Sequence, residues 1–236
     1  MSSGLRRAPK VPTRSLILNE VERLIARRGV YGFTLQDVAG PLGVQVPAIY
    51  KHFKSRDDVL IELSRRFIEG LSQQFAPAQR ASSDPVAILR RRLDEFVDFH
   101  VTNPAYVRLS LVDFATPEGG MEYLTLASGG PLHETPHVGP LAAMHRHLGV
   151  LLDAGRKAGR FRRVLPLDFY LIVKSVLLIR LVFRNDTLLK GDPSPAEVVE
   201  TKDTLWDVAR RYLAPTSELE TQTPVRRHRS RTRQRE

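Results

Sequence analysis

Tyr50, Lys51, His52 and Lys54 fall within five positions and bring together a phenol, two ammonium groups and an imidazole shortly after a glycine, Gly43, suited to a tight turn. Cations flanked by hydrogen-bonding side chains suit phosphate oxygens, and such contacts make binding salt dependent. Pro47, Ala48 and Lys51 lie early on the same short segment, where a small side chain allows close approach to base edges and can touch a thymine methyl. Gln45 can read adenine N6 and N7 or stand in as a helix cap, and both readings stay open. Val46 or Pro47 starts the helix, since proline there costs no hydrogen bond. For Phe53, and for Tyr50 apart from its hydroxyl, the plain alternative is packing inside a small helical core.

Such side chains need a mount. The stretch from Thr34 to Lys54, TLQDVAGPLGVQVPAIYKHFK, reads as a short helix, a turn at Gly43 and a second short helix. Two short helices about a three- to four-residue turn form the helix-turn-helix unit, whose second helix enters the DNA major groove. Upstream, Ile17, Val21, Leu24 and Ile25 share one face of a helix spanning about Thr13 to Arg28, with Glu22, Arg23 and Arg27 expected to face water and Gly29 to end it. Thr34 with Asp37 three residues later suggests a capping box. Amides at that helix start are expected to join Tyr50, His52 and Lys54 on the phosphate backbone.

Residues 13–65 resemble the DNA-binding domain of the TetR family of bacterial transcriptional regulators, together with the start of that family's fourth helix. The match runs without insertion through Gly29, Thr34, Asp37, Val38, Ala39, Gly43, Val44, Ala48, Tyr50, His52, Phe53, Ser55 and Leu60. Three places depart from the pattern. Gln45 stands where a serine usually caps the recognition helix, Glu20 where a small residue is usual, and Gly40-Pro41 interrupts the second helix and should shorten it. The resemblance implies a homodimer reading a near-palindromic operator in double-stranded DNA, and a repressor released when a small molecule swings the two heads apart.

The expected fold is all-α: an N-terminal three-helix DNA-binding domain and a larger C-terminal helical domain for ligand binding and dimerisation, about nine helices in total. The boundaries are a disordered basic arm over 1–12, the head over 13–60, the helical body over 61–215 and a disordered arginine-rich tail over 216–236. Net charge is +5 over residues 1–60, zero over 61–221 and +5 over 222–236, matching the overall +10. A basic head on a neutral body is the footprint of a DNA binder. The arm and tail have too few apolar residues to offset ordering entropy, and their arginines either attract DNA or are simply solvated.

No cysteine occurs, so disulfides and thiolate metal ligands are excluded. The start MSSGLRRAPKVP has no signal-peptide core, and the most apolar run, Phe169 to Phe183, is interrupted by Lys174 and Arg180 and is too short to span a bilayer. A cytoplasmic, nucleoid-associated protein with no membrane partner is expected.

In the body, helices are expected from Arg56 towards Phe75, after Asp84-Pro85 to Asn103, from Pro104 to about Ala115, from Pro140 to about Lys157, from Leu167 to Leu189 and from Pro195 to Leu213, with a short one at Met121 to Ala127. Phe96, Phe99, His100, Tyr106, Leu109, Phe114, Tyr123, Met144, Leu148 and Tyr170 are candidates to line a pocket for an apolar or amphipathic effector, though any one of them could be ordinary core. His100, Arg108 and Asp113 could orient its polar head. The Leu167–Leu189 helix is apolar nearly all round and must be covered on two sides. By resemblance the second side belongs to a partner subunit, with Val176, Ile179, Phe183, Val199, Leu205 and Trp206 as seam candidates and the monomer core as the alternative.

No metal or other cofactor is expected: His133 and His137 flank prolines, and His145 and His147 point to different sides of a helix. No phosphate-binding glycine loop, nucleophile elbow or His–carboxylate pair suggests an enzyme. The rival readings are a ligand-independent DNA-binding protein or activator with the same head, favoured if the body has no cavity, and an enzyme or effector-binding module whose basic ends serve only solubility.

Overall fold

Among the residues described by the computed structural model, 13–74, 83–114, 140–183 and 193–215, there are nine α-helices and no strand. Helix α1 (Thr13–Arg28) turns Ile17, Val21, Leu24 and Ile25 wholly inward, as the spacing predicts, and stops at Gly29. Helix α2 (Leu35–Ala39) is only five residues long because Gly40-Pro41 follows it. At Gly43 φ is +64°, a conformation in which a Cβ would be strained, and its amide donates to the Gly40 carbonyl at 3.0 Å to close the turn. Helix α3 (Val46–Tyr50) follows.

Helix α4 (Arg56–Gln74) starts on Ser55, whose hydroxyl accepts from the Asp58 amide at 3.0 Å. It runs through the head–body border expected at residue 60, since nothing in its sequence stops a helix there. Two acidic residues of α1 depart from expectation. Glu22 is half-buried against α4 within 3.5 Å of Arg66, and burial raises its pKa more than that arginine lowers it. Glu20, where a small residue was usual, is buried and accepts from Arg23 Nε at 2.8 Å, so its charge is matched locally.

The body comprises α5 (Pro85–Thr102), α6 (Pro104–Phe114), α7 (Pro140–Lys157), α8 (Pro166–Phe183) and α9 (Pro195–Leu213). Asp84 caps α5 through the Val86 amide at 3.1 Å, and a Ser194–Glu197 capping box starts α9. Helix α6 lies against α1, α7 against α4 and α5, and α9 against α5 and α8. Arg90–Asp203 at 2.8 Å and Lys202–Asp98 at 2.7 Å set α9 antiparallel to α5.

On α8, Phe169, Tyr170, Val173, Leu177, Leu178 and Leu181 are buried in the subunit, while Val176 is half-buried and Ile179 is 51% exposed. Val199 on α9 is likewise exposed. Leu205 corrects the expected seam: at 1% exposure it is core of its own subunit, because the antiparallel packing turns it inward. Trp206 is half-buried, with the Arg90 guanidinium 5.7 Å from its ring centroid. The expected arm, tail and Met121–Ala127 helix, with Tyr123, His133 and His137, lie outside the described residues, as do the side chains of Asp113, Phe114 and Phe183.

Candidate nucleic-acid interface

Helix α3 is held from one side and bare on the other. Ile49 and Phe53, four residues apart, are 0% and 1% exposed, fixing the inward face. Gln45, Pro47, Tyr50, Lys51 and Lys54 are exposed, and Val46, Ala48 and His52 are half-buried between the two faces. These five exposed residues are all among the candidates read from the sequence, and Phe53 lies in the core. Gln45 makes no side-chain cap hydrogen bond, so its amide is available to an outside partner. Within the described residues Lys51 and Lys54 form no ion pair, leaving both charges on offer.

Thr34 behaves differently from expectation. Its hydroxyl accepts from the Asp37 amide at 3.3 Å, completing the predicted capping box, but its own amide and hydroxyl both point to Asp37 Oδ2, at 2.8 and 2.7 Å. The amide foreseen for a phosphate is therefore occupied. The Thr34 hydroxyl above all, then its amide and Arg28, holds the Asp37 carboxyl down at about 2, so an anion occupies the start of α2 at any ordinary pH.

Two arginines that sequence reasoning passed over brace the head. Arg14 lies 4.4 Å above the Phe53 ring and donates to the His52 carbonyl at 2.9 Å, joining α1 to the end of α3. Arg56 stacks 4.6 Å from the Phe33 ring and 5.8 Å from that of exposed Tyr31, and donates to the Val30 carbonyl. A cation far in sequence from its aromatic partner gives no local sign of such contacts.

The candidate effector region divides into two parts. Phe96, Met144, Leu148 and Tyr170 join Leu89, Leu93, Phe169 and Val173 around an apolar space of about 10 Å³, room for roughly one water. Phe99, His100, Tyr106 and Leu109 form an adjoining buried cluster. There Tyr106 meets His100 at 5.3 Å and, on α4, Phe67 at 5.1 Å between ring centroids. His100 Nδ1 lies 2.8 Å from the Phe96 carbonyl and donates to it, while Nε2 has no hydrogen-bond partner among the described residues. Burial first, and then the Lys174 charge, pulls the His100 pKa down to about 3 despite that bond, so the ring is neutral.

Lys174 is the residue the sequence reading undervalued. It is 1% exposed, its ammonium 5.4 Å from the Tyr106 ring centroid and 5.7 Å from that of Tyr170. Its position four residues after Tyr170, on the buried face of an apolar helix, was the available signal. Arg108 is half-buried, with a pKa lowered by desolvation. His145 packs edge-on against Tyr170 at 5.3 Å, an aromatic contact. Among the described residues no three His, Asp or Glu side chains are grouped to hold a metal ion.

A short, firmly seated helix with a bare polar and cationic face, set behind a glycine turn, is a helix-turn-helix DNA-binding domain. Residues 17–63 match the family model for bacterial regulatory proteins of the tetR family. Residues 17–63 thus carry a tetR-type DNA-binding domain, and the chain as a whole shares the fold of TetR-family regulators. It is 26% identical over 101 residues to the HTH-type transcriptional activator FasR of Mycolicibacterium smegmatis, covering 42% of this chain and 46% of that protein. It is 33% identical over 93 residues to the HTH-type transcriptional regulator AcrR of Shigella flexneri, covering 38% and 42%. The chain thus spans less than half the length of the curated relatives it matches. The fold extends further: the TetR family transcriptional regulator PfmR from Thermus thermophilus superposes with a TM-score of 0.59 at 22% identity, over 84% of this chain and 99% of that one.

Proposed function

We propose that the protein is a homodimeric one-component transcriptional regulator, acting in the cytoplasm as a repressor, that binds a near-palindromic operator through α3 and is released by a small amphipathic ligand. The observation that carries the reading is the two-sided α3: Ile49 and Phe53 lock it in place while Gln45, Pro47, Ala48, Tyr50, Lys51 and Lys54 stay presentable. In this scheme Gln45, Pro47, Ala48 and Lys51 face the base edges, and Tyr50, His52 and Lys54 position the helix on phosphates. One helix reads too few base pairs to be selective, so two heads related by a twofold axis are required. Val176 and Ile179 on α8 with Val199 on α9 offer the apolar patch for that pairing.

Effector release would run through the buried cluster. A ligand entering between Phe96 and Tyr170 would press on Tyr106, which touches α4 through Phe67 and belongs to the helix lying on α1. Such a ligand acts only by preferring one head spacing over another. The space of about 10 Å³ favours a second reading, a ligand-independent regulator with the same head. FasR, named an activator, gives the opposite sign of regulation a precedent among similar heads.

Fluorescence anisotropy on the protein's own upstream intergenic DNA, beside a scrambled duplex and at two salt concentrations, tests the head. Tyr50→Ala with Lys51→Ala should weaken selective binding by roughly 10- to 100-fold, as loss of one or two good contacts does. Equal, salt-sensitive binding to both duplexes would remove specific recognition. Sedimentation of Ile179→Asp tests the pairing: a folded monomer is expected, and an intact dimer would move the seam elsewhere.

A further inference from the structure

The end of the body farthest from the head carries a second concentration of positive charge. Antiparallel α9 runs from Lys202 beside Asp98 to Trp206 beside Arg90, so its last turn lies beyond the start of α5. Leu213 is eleven residues past Lys202, about 16 Å along a helix, and that direction leads away from the α5–α6 corner that meets α1. On this end stand Arg156, Lys157, Arg160 and Arg163, all exposed, with Arg162 half-buried among them and Arg210 and Arg211 on the neighbouring last turn of α9. Asp153, Asp207 and Asp168 are the nearby carboxylates; Asp153 is shared by Arg156 and Lys157, and Asp207 by Arg210 and Arg211. Arg160 and Arg163 form no ion pair within the described residues.

The cations are mounted on a fixed loop. Helix α7 ends in a Schellman arrangement, with Gly159 at φ +70° and the Arg160 amide donating to the Gly155 carbonyl at 2.9 Å. Phe161 is 7% exposed and lies so close over Gly155 that a Cβ there would fall 1.9 Å from its ring. The Arg162 amide donates to the Leu213 carbonyl at 2.8 Å, its Nε donates to the Tyr212 carbonyl at 2.5 Å, and its guanidinium stacks 4.3 Å from the Tyr212 ring centroid. Arg162 is thus the fastener, leaving Arg160 and Arg163 to face outward. Beside them an open hollow of about 500 Å³ lies between α7 and the start of α8, edged by Arg156, Arg162 and Arg163 and by one carboxylate, Asp153, already paired with Arg156 and Lys157.

We propose that this pole is a second nucleic-acid contact, which holds a further segment of duplex DNA while α3 holds the first. All the cations but Lys157 are arginines, whose forked donors match phosphate oxygens. A concave surface edged by arginine suits the convex ridge of a phosphate backbone. The head already concentrates DNA around the protein, so a weak second contact gains from high effective concentration. The chain also continues from this end of α9 into a sequence with six more arginines between residues 226 and 235. A membrane-surface contact would call for a broad apolar face, whereas here Phe161 is turned inward and Leu165 is the one exposed large apolar side chain of the loop.

The test uses the full chain and two duplexes of unrelated sequence, one on beads and one fluorescent in solution. Wild-type protein should carry the fluorescent duplex onto the beads. Arg160→Gln with Arg163→Gln should reduce that capture at least fivefold while changing anisotropy-measured binding to a single duplex less than twofold. In a Tyr50→Ala, Lys51→Ala background, which weakens the head, the same pair should lower the logarithmic salt slope of residual duplex binding by about 2. Undiminished capture by the arginine variant overturns the proposal. So does binding of the same arginines to phosphatidylglycerol vesicles, or to an acidic peptide, without any capture of DNA. Single-duplex binding that ignores Tyr50→Ala, Lys51→Ala would count against the role given to α3 and leave the pole to be judged on capture alone.

Discussion

The head and the body are held together by different kinds of contact. In the head the capping bonds are short in sequence, Thr34 with Asp37, Lys54 and Ser55 with Asp58, Glu20 with Arg23, and two arginines, Arg14 and Arg56, add longer braces to backbone carbonyls. In the body the decisive polar pairs join distant elements: Arg90 with Asp203, Lys202 with Asp98, Arg162 with the end of α9. The head buries one charged side chain, Glu20, matched locally by Arg23, whereas the body sets His100 and Lys174 among aromatic rings. A head made from local signals can hold one rigid shape on DNA. Polar groups inside an apolar core cost stability unless they are partnered, so the packing of the body is the more exacting of the two.

Removing the inward anchor of α3 should have the largest effect. Phe53→Ala leaves a cavity under Arg14 and should cost about 3–5 kcal/mol in urea denaturation, with duplex binding lost as α3 loosens. Phe96→Ala should cost a similar amount yet leave the duplex affinity of the folded protein within twofold; equal damage to DNA binding from both would erase the contrast.

Acid tests the body next. The folded pKa of His100 lies near 3, below its ordinary 6.5, so as pH falls through that window the unfolded chain takes up a proton that the folded chain refuses. The contribution of this group is complete above about pH 6.5 and falls by at most about 1.4 kcal/mol per pH unit below it. Urea midpoints at pH 7.5 and 5.5 should therefore differ less in His100→Phe than in wild type, the remainder including His145, whose pKa burial also lowers. An unchanged difference would show that His100 is not sealed from water.

The smallest effect belongs to the head's local bonding. Thr34→Ala removes the cap of α2 and should cost about 1 kcal/mol. Because the Asp37 carboxyl titrates near 2, the capping box is at full strength down to about pH 4 and fails only as pH falls towards 2. A melting temperature in Thr34→Ala that lies furthest below wild type above pH 4, and converges with it at lower pH, is the expected pattern.

The head was legible because its signals are local: glycine turns, caps and the Ile49/Phe53 spacing are all written within a few residues of where they act. Its long-range braces, Arg14 and Arg56, were not, since an arginine's partner across 26 or 38 positions leaves no periodic trace. In the body, helix ends followed from proline and capping residues, while Phe96, Tyr106 and Tyr170, candidates for a pocket lining or for core, are buried. Leu205 was misplaced because Leu205 and Trp206 are both large and apolar, and only the direction of packing on α5 turns one of them fully inward. Lys174 was seen as an interruption in an apolar run, although its register with Tyr170 already put it inside.

Helix α4 crosses the border between the two regions unbroken, and α1 rests on α6. A cut at residue 60 would sever a helix in its second turn and strip α1 of a neighbour from the other region. This head therefore cannot be exchanged between proteins like a bead on a string. A chimera that carries it onto a different body needs the matching surface of α6 as well, and recombination that ignored this would yield a misfolded chain before it yielded a new specificity.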